Sequence, residues 1–210
     1  MTRIGRFITL EGGEGGGKST QARRLAEALA ARGLSVLLTR EPGGSPGSEV
    51  LRTLLLGGSI PWSPPAEVLL HFAHRAEHVE KTIRPALAAG TWVICDRFYD
   101  STAVYQGDGQ GADRQQIAAL IALLDFRPDL TLILDVPVET TVARLATRGG
   151  GPDRYESLGE PFFARVRAGF LAIAEREPDR CVVVDGRPAP DAVTASLLAA
   201  IEDRLPVPTA

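Results

Sequence analysis

The sequence predicts one α/β domain over residues 1–210, with a five-stranded parallel sheet flanked by helices on both faces. Short runs rich in Val, Ile and Leu alternate along the chain with longer amphipathic stretches. The length of 210 residues is sufficient for one domain with a substantial core. Hydrophobic residues make up 44% and charged residues 23%, which is typical of a globular protein.

The predicted strands are apolar runs without strict alternation, as expected for strands that are buried on both faces. They are Phe7–Leu10, Val36–Thr39, Trp92–Cys95, Leu130–Leu134 and Val182–Val184.

The segments between these runs carry apolar residues at helical spacing. The predicted helices are Lys18–Ala31, Val50–Leu56, Ala66–Ala89, Arg114–Leu124, Val138–Thr147, Pro161–Glu175 and Asp191–Leu205. Right-handed crossovers between parallel strands bring the carboxyl ends of the strands to one edge, where we expect the ligand site.

The composition argues against several classes of protein. The formal net charge of −3 disfavours a dedicated binder of nucleic acid or of an anionic membrane. The apolar run near the N-terminus is too short for a signal peptide or a membrane span, so we expect a cytoplasmic location. Two cysteines, Cys95 and Cys181, are predicted to be buried thiols in neighbouring strands.

A glycine-rich segment, TLEGGEGGGKST, follows the first predicted strand and opens a predicted helix. It matches the phosphate-binding pattern G-x-x-x-x-G-K-[ST], in which backbone N–H groups and a helix N-terminus surround a phosphate. Lys18 is one of only two lysines among 23 basic residues, which favours a need for its compact ammonium group. We therefore predict a P-loop NTPase fold that binds ATP with Mg²⁺, through Gly12, Gly13, Glu14, Gly15, Gly16, Gly17, Lys18, Ser19 and Thr20.

Charged residues follow two further strands at the same expected edge. Asp96 and Arg97 end the third strand, where an acid suits magnesium ligation and an arginine suits phosphate binding. A local salt bridge that caps the strand is the alternative. Glu41 lies in the segment TREPGG, which by itself favours a simple tight turn.

The helix that begins near Ala66 carries an aromatic ring and a guanidinium three residues apart. Phe72 and Arg75 share a helix face and can stack on a base and hydrogen-bond to its edge, although core packing is the simpler interpretation of Phe72 alone. His71, His74 and His78 form a stripe that we interpret as solvated or cleft-edge histidines rather than as a metal site.

Taken together, the motifs resemble bacterial thymidylate kinases, which belong to the nucleoside monophosphate kinases. The similarity extends over nearly the whole chain. It includes FITLEGGEGGGKST, TREPGG, LLHFAHRAEHVEKTIRPALAAGTWVICDRF, STAVYQG, PDLTLILDVPVETTVARL and DRYE. The resemblance implies transfer of the γ-phosphoryl group of ATP to dTMP, which yields dTDP for dTTP biosynthesis.

The resemblance also implies roles for individual residues. Phe72 is expected to stack on thymine, and Arg75 is expected to hydrogen-bond to its O4 atom. The other expected substrate contacts are Glu14, Glu41, Pro42, Arg97, Thr102, Tyr105 and Gln106. Ser19, Asp96 and Glu41 are expected to lie near the magnesium ion.

The resemblance further implies a mobile flap, or lid, at about residues 144–160. Gly15 occupies the place where some family members carry a basic residue, so catalytic arginines are expected from the flap. The candidates are Arg144, Arg148 and Arg154, and the sequence leaves open which of them reaches the transferred phosphoryl group. The adenine contact is expected at Asp185–Pro190.

The resemblance also implies a homodimer that packs through helices near Ala66–Ala89 and Arg114–Leu124. Two other classes remain as alternatives at this point. One is another small P-loop kinase, and the other is a P-loop switch protein, which would have no need of a second nucleotide pocket.

Overall fold

The computed structural model describes residues 5–57, 60–147 and 155–206. Its strands form one parallel sheet in the order β2-β3-β1-β4-β5, which confirms the predicted fold class. The strands are β1 (Phe7–Gly12), β2 (Val36–Arg40), β3 (Trp92–Asp96), β4 (Leu130–Asp135) and β5 (Cys181–Asp185).

Helices connect the strands and cover both faces of the sheet. They are α1 (Lys18–Ala31), α2 (Pro46–Leu56), α3 (Pro64–His78), α4 (Arg84–Ala88), α5 (Tyr99–Thr102), α6 (Arg114–Leu124), α7 (Val138–Thr147), α8 (Gly159–Arg176) and α9 (Pro190–Arg204). π-Helical segments follow α3 (Val79–Ile83) and α5 (Ala103–Gly109), and a 3₁₀ turn (Glu156–Leu158) precedes α8.

One helix, α2, begins about a full turn earlier than its apolar pattern predicts, whereas α3, α8 and α9 begin one or two residues earlier. α2 starts at Pro46 rather than Val50, because the side chain of Ser45 accepts a hydrogen bond from the Ser48 N–H and caps the helix. Proline in the first turn costs nothing, since its missing N–H would have no partner within the helix.

The core lies on both sides of the sheet. On one face, Leu25 of α1 and Leu197 of α9 pack against the central strands. On the other face, Val68 of α3 and Phe170 of α8 belong to two further buried clusters. This three-layer arrangement holds the central strands rigidly and leaves their carboxyl ends free to carry loops.

The two outer strands depart from the expectation of burial on both faces. Leu38 of β2 and Val183 of β5 are each 42% exposed, because each strand has a neighbour on one side only. Cys95 and Cys181 are free buried thiols, as predicted, but the expectation of neighbouring strands is wrong. They lie on β3 and β5, which β1 and β4 separate.

Among the described residues, no helix has the length and apolar character needed to cross a membrane.

The parallel register gathers the predicted motifs at one edge. Leu10 pairs with Asp96 in one ladder and Arg40 pairs with Asp96 in the next, so three loops begin side by side. On the other side of β1, Gly12 pairs with Leu134. The glycine-rich loop therefore lies in the middle of the edge, with the loops after β2 and β3 beside it.

Candidate active site

The glycine-rich loop connects β1 to α1 and requires glycine where it leaves the strand. Gly12 has a φ of 132°, and a Cβ atom there would lie 2.4 Å from the carbonyl oxygen of Leu134. Gly17, with a φ of 84°, precedes the first residue of α1. The loop can thus curl back over β4 and direct its backbone and the helix N-terminus toward one space.

Lys18, the first residue of α1, is buried beneath this loop. Its Nζ atom donates a hydrogen bond to the carbonyl oxygen of Gly13 at 2.6 Å. Burial, together with the nearby charge of Arg97, lowers the pKa of Lys18 to about 8. A bound phosphate would place a negative charge beside this amine and so favour its protonated form.

A cavity of about 650 Å³ opens above the loop, and we call it the phosphate cavity. The predicted residues that line it are Glu14, Gly15, Gly16, Gly17, Lys18, Ser19, Thr20, Glu41, Asp96, Arg97 and Arg144. Gly12 and Gly13 lie behind this surface, beside β4. Arg52, which sequence analysis missed, also lines the cavity.

Asp96 and Ser19 form an oxygen-rich corner of the phosphate cavity. The Ser19 hydroxyl donates to Oδ2 of Asp96 at 2.5 Å, while the buried Oδ1 atom has no hydrogen-bond partner in the described part of the chain. No group of three or more Asp, Glu, His or Cys residues in that part could hold a metal ion. One carboxylate and one hydroxyl fit Mg²⁺, which is usually held by few protein ligands together with substrate phosphates.

Arg97 stands between the phosphate cavity and its neighbour. Its guanidinium donates to Glu14 at 2.6 Å, to Ser101 Oγ at 3.2 Å and to the Gly12 carbonyl at 3.3 Å. Burial alone would lower the pKa of Arg97, but Glu14, Tyr105, Asp96 and Glu11 together outweigh it and raise the pKa well above its ordinary value. The residue also has a φ of 72°, an uncommon conformation for a side chain other than glycine.

A second cavity of about 150 Å³, which we call the base cavity, adjoins the first. Its lining includes the predicted residues Glu14, Glu41, Pro42, Arg75, Arg97, Thr102, Tyr105 and Gln106. The hydroxyl of Tyr105 donates to Glu14 at 2.8 Å, and the Arg97 guanidinium lies 4.8 Å from the centre of the Tyr105 ring. Four residues line both cavities and form their common wall: Glu14, Glu41, Arg52 and Arg97.

Phe72 does not line the base cavity, and this corrects the sequence prediction. Its ring packs in the core beside Val68 and Phe98, and the cavity is lined instead by His71, His74 and Arg75. At about 100° per residue, Arg75 lies about 40° from His71 and His74 about 60° from it on the other side. Phe72 lies about 100° from His71 on the same scale, so it faces the core. The i, i+4 pair of His71 and Arg75 is therefore the one that shares the cavity.

Arg75 is only 1% exposed and is held from three directions. It donates to Glu41 at 2.7 Å, to the Phe98 carbonyl at 3.1 Å and to Thr102 Oγ1 at 3.2 Å. Its Nη1 atom is buried without a hydrogen-bond partner among residues 5–57, 60–147 and 155–206. A buried guanidinium N–H of this kind is costly unless a ligand accepts its hydrogen bond.

Both carboxylate oxygens of Glu41 have partners within the protein. Oε2 of Glu41 accepts from Arg75, and Oε1 lies 3.0 Å from Nδ1 of His78. Nε2 of His78 lies 2.8 Å from Thr39 Oγ1, which completes a buried chain. Glu41 also lines the phosphate cavity, so the expectation that it lies near magnesium stays a prediction.

All three histidines of the predicted stripe are buried, so they are not solvated, but His71 and His74 lie at the edge of the base cavity, as the cleft-edge alternative predicted. Burial and the charge of Arg75 lower the pKa of His74 well below its usual range, so its imidazole is neutral near pH 7. The Nδ1 atom of His74 has no hydrogen-bond partner in the described ranges. His74 thus offers a second unsatisfied polar atom beside the base cavity.

Two further side chains were missed by sequence analysis. Tyr155 lines the base cavity, and its hydroxyl lies 3.0 Å from both Gln106 Nε2 and Glu67 Oε1. Arg52 of α2 donates to the Pro42 carbonyl and lines both cavities. Tyr155 lies within the quoted motif DRYE, and Arg52 follows TREPGG by eight residues, so only the position of Tyr155 carried a signal.

Arg144 links the glycine-rich loop to the segment after β5. It donates to the carbonyl oxygens of Gly15 at 3.2 Å, Gly186 at 2.9 Å and Arg187 at 3.2 Å. The segment Asp185–Pro190 is thereby held beside the phosphate cavity. The other two arginines of the predicted flap, Arg148 and Arg154, lie outside the described residues.

A P-loop fold with two adjoining cavities and a shared arginine defines a nucleotide-dependent phosphotransferase with separate donor and acceptor pockets. Comparisons with known proteins identify the family. Residues 10–197 match the thymidylate kinase family. This chain therefore belongs to the thymidylate kinase family, as the sequence motifs predicted.

Individual relatives agree over nearly the full length. The thymidylate kinase of Gluconobacter oxydans is 54% identical, covering 99% of each chain. That of Caulobacter vibrioides is 54% identical, covering 96% of this chain and 98% of the relative. A crystal structure of thymidylate kinase from Ehrlichia chaffeensis is 36% identical and superposes with a TM-score of 0.77, covering 94% of this chain and 99% of that one.

Proposed function

We propose that this protein transfers the γ-phosphoryl group of ATP to dTMP and releases dTDP and ADP, a step of dTTP biosynthesis. The observation that carries the proposal is the shared wall of the two cavities, where Arg97 and Glu14 face both spaces. Phosphoryl transfer between two nucleotides requires both phosphate ends at one point, and a wall shared by a donor pocket and an acceptor pocket provides such a point.

The base cavity is proposed to hold dTMP. The unpartnered Nη1 atom of Arg75 suits a pyrimidine carbonyl such as thymine O4, and the neutral His74 offers a further polar atom. His71 is proposed to contact the face of the base, in place of Phe72. Thr102, Tyr105, Gln106 and Pro42 complete the walls of the pocket.

The phosphate cavity is proposed to hold the triphosphate of ATP. The loop backbone, Lys18 and Thr20 would surround the phosphates, and Arg144 would hold the adenine-side segment in place. Ser19 and Asp96 are the residues that would hold Mg²⁺, which neutralises phosphate charge when it is bound. The catalytic roles of Arg148 and Arg154 rest on the family resemblance.

The reaction needs no strong general base, because the acceptor phosphate is already a nucleophile. The protein must bring two anionic groups together and offset the charge that spreads over the transferred group. Lys18 and Arg97 supply fixed positive charge at the junction of the cavities. Loss of one such preorganised group typically costs about 3 kcal/mol in the barrier.

The direct test is a steady-state comparison of dTMP, dUMP, dCMP and dGMP as acceptors with ATP and Mg²⁺. We expect ADP to form only when an acceptor is present. A methyl group in a close-fitting pocket is worth about 1.4–3 kcal/mol, so we expect dTMP to exceed dUMP by roughly 10- to 200-fold in kcat/KM. Preference for dGMP, or ADP formation without an acceptor, would reject the proposal. Chelation of Mg²⁺ by EDTA is expected to abolish the reaction.

The base contact predicts different effects at two adjacent positions. His71→Leu is expected to raise the KM for dTMP about tenfold, since it removes a ring from the pocket wall. His71→Phe keeps a ring and is expected to restore the KM to within about threefold. Phe72→Leu is expected to lower the free energy of unfolding by about 1–2 kcal/mol without changing the KM, because Phe72 belongs to the core. The reverse pattern would return the stacking role to Phe72.

The lowered pKa of Lys18 predicts that ATP binding takes up protons near pH 8. At that pH about half of the free enzyme carries a neutral Lys18, and bound phosphate favours the charged form. ATP affinity is therefore expected to fall by up to about tenfold per unit above pH 8, and to be insensitive to this group below pH 7. Calorimetry in two buffers with different ionisation enthalpies measures the uptake. Lys18→Arg should lose this dependence; an identical profile in that variant would assign the proton elsewhere.

The finer features of the family are proposed here as well. We propose that residues 1–210 act as one domain, and that the segment 144–160 acts as a lid, within which Tyr155 lines the base cavity. The free thiols of Cys95 and Cys181 are consistent with a reducing compartment, and we propose a cytoplasmic location.

A homodimer through α3 and α6 is proposed from their exposed apolar side chains. Leu69 of α3 is 50% exposed and Leu123 of α6 is 80% exposed, while Val50 of the adjoining α2 is 64% exposed. Single exposed apolar residues are ordinary, but three on helices that pack side by side suit an interface.

The proposed dimer predicts that charged side chains placed in the interface lower the molecular mass of the protein in solution. Leu69→Arg combined with Leu123→Arg is expected to convert a dimer into a monomer in light scattering, because two guanidinium groups would be buried in the interface. Val183→Arg places the same charge on the exposed edge strand β5 and should leave the mass unchanged. A wild-type protein that is monomeric at micromolar concentration would contradict the proposal.

A further inference from the structure

Glu11, near the end of β1, is a buried acid with no role in either cavity so far. It is fully buried and lines neither the phosphate cavity nor the base cavity. Its Oε1 atom accepts hydrogen bonds from the backbone N–H groups of Phe98 at 2.7 Å and Ser101 at 3.3 Å. Its Oε2 atom accepts from the Ser101 hydroxyl at 2.6 Å. All its contacts thus go to the segment that follows Arg97.

These hydrogen bonds replace a helix cap. α5 begins at Tyr99, and the residue before it, Phe98, has no side-chain oxygen to accept from the first N–H groups. Glu11, which lies on β1, provides that acceptor. The start of α5 is therefore tied to β1 rather than to its own sequence.

The same contacts reach the guanidinium of Arg97. The Ser101 hydroxyl that donates to Glu11 also accepts from Nη1 of Arg97 at 3.2 Å. The backbone N–H of Arg97 donates to the carbonyl oxygen of Leu10, the residue before Glu11. A residue with a φ of 72° needs such external support, because its conformation is unfavourable by itself.

We propose that Glu11 is a positioning residue for phosphoryl transfer, which holds Arg97 at the common wall through Ser101 and the capped start of α5. The inference rests on the proposed function, in which Arg97 meets the phosphates of both nucleotides. It adds a residue outside both pockets to the set on which the rate depends.

The cost of burying an acid here supports a functional reason for it. Burial, together with the nearby carboxylate of Asp100, raises the pKa of Glu11 to about 8. Asp100 is itself held by a two-point contact with Arg180 at 2.7 and 2.8 Å, so it cannot turn away. An apolar side chain at position 11 would avoid this cost, but it would leave the Phe98 N–H and Ser101 without their acceptor.

The test uses the full chain and measures kcat and KM separately for dTMP and ATP. Ser101→Ala cuts the link between Glu11 and the guanidinium but leaves the cap, and kcat is expected to fall about tenfold with each KM within about threefold. Glu11→Ala removes the link and the cap, with an expected loss of about 100-fold in kcat. Glu11→Gln retains an acceptor for the Phe98 N–H and is expected to recover about tenfold of that loss.

Thr9→Val is the matched control on the same strand. Thr9 is also fully buried, and its hydroxyl forms one buried hydrogen bond, to Thr131 Oγ1 at 2.8 Å. Thr9→Val removes that hydrogen bond and leaves Arg97 and Ser101 unchanged. Its kcat is expected to stay within about twofold of wild type. If Thr9→Val lowers kcat as much as Glu11→Ala does, the effect is general destabilisation and the proposal is overturned.

A double-mutant cycle with Arg97→Ala decides whether Glu11 acts through Arg97. Ser101→Ala is expected to have no further effect on kcat once the guanidinium is gone. An equal tenfold loss in both backgrounds would overturn the inference, even if Glu11→Ala failed to fold. If the wild-type protein is active on dTMP and the Ser101→Ala loss in kcat is the same in both backgrounds, only this inference is wrong. If the wild-type protein is inactive on dTMP, both the proposed function and the inference are wrong.

Discussion

The parallel pairing of β1 with β3 is the constraint on which the site depends. It sets Leu10 opposite Asp96, so the glycine-rich loop and the segment after β3 leave the sheet side by side. The Arg97 N–H then extends the ladder by one more hydrogen bond, to the Leu10 carbonyl. A shift of one residue would turn Glu11 and Asp96 to the opposite faces of the sheet and separate Arg97 from Glu14.

Most of the charge at this edge is already balanced within the protein. Arg97 is paired with Glu14 and Arg75 with Glu41, and each pair is largely removed from solvent. Buried charges are expensive, and such pairs contribute more to a defined geometry than to stability. The guanidinium groups are thus oriented before any phosphate arrives, which reduces the reorganisation needed during transfer.

The sequence predicted those parts of the site that local chemistry decides. The loop from Gly12 to Ser19 requires its glycines and lysine at fixed spacing, so both the motif and its place between a strand and a helix were predictable. The roles of Phe72 and Glu41 were not, because they depend on tertiary partners. Phe72 shares a helix with His71, and only packing against the sheet decides which ring faces the cavity.

Glu41 illustrates the same limit at longer range. Its two carboxylate oxygens are taken by Arg75 and His78, which lie 34 and 37 residues later in the chain. No local pattern reports such a pairing; the segment alone favours a tight turn, and the expected magnesium role of Glu41 rests on the family resemblance. The strand boundaries were predicted more accurately, since the observed strands differ from the predicted apolar runs by no more than two residues at either end.

The peptide group of Phe98 connects the two halves of the site. Its N–H is held by Glu11 and its carbonyl oxygen by Arg75, so one peptide plane is fixed from the sheet side and from the base cavity. Arg97 is the preceding residue, and its unfavourable backbone angle leaves it dependent on that plane. Arg75, which would hydrogen-bond to the base, and Arg97, which would contact the phosphates, are therefore both positioned by this one peptide group. A base that displaced Arg75 would strain the position of Arg97, which gives the geometry of the acceptor pocket a direct influence on transfer.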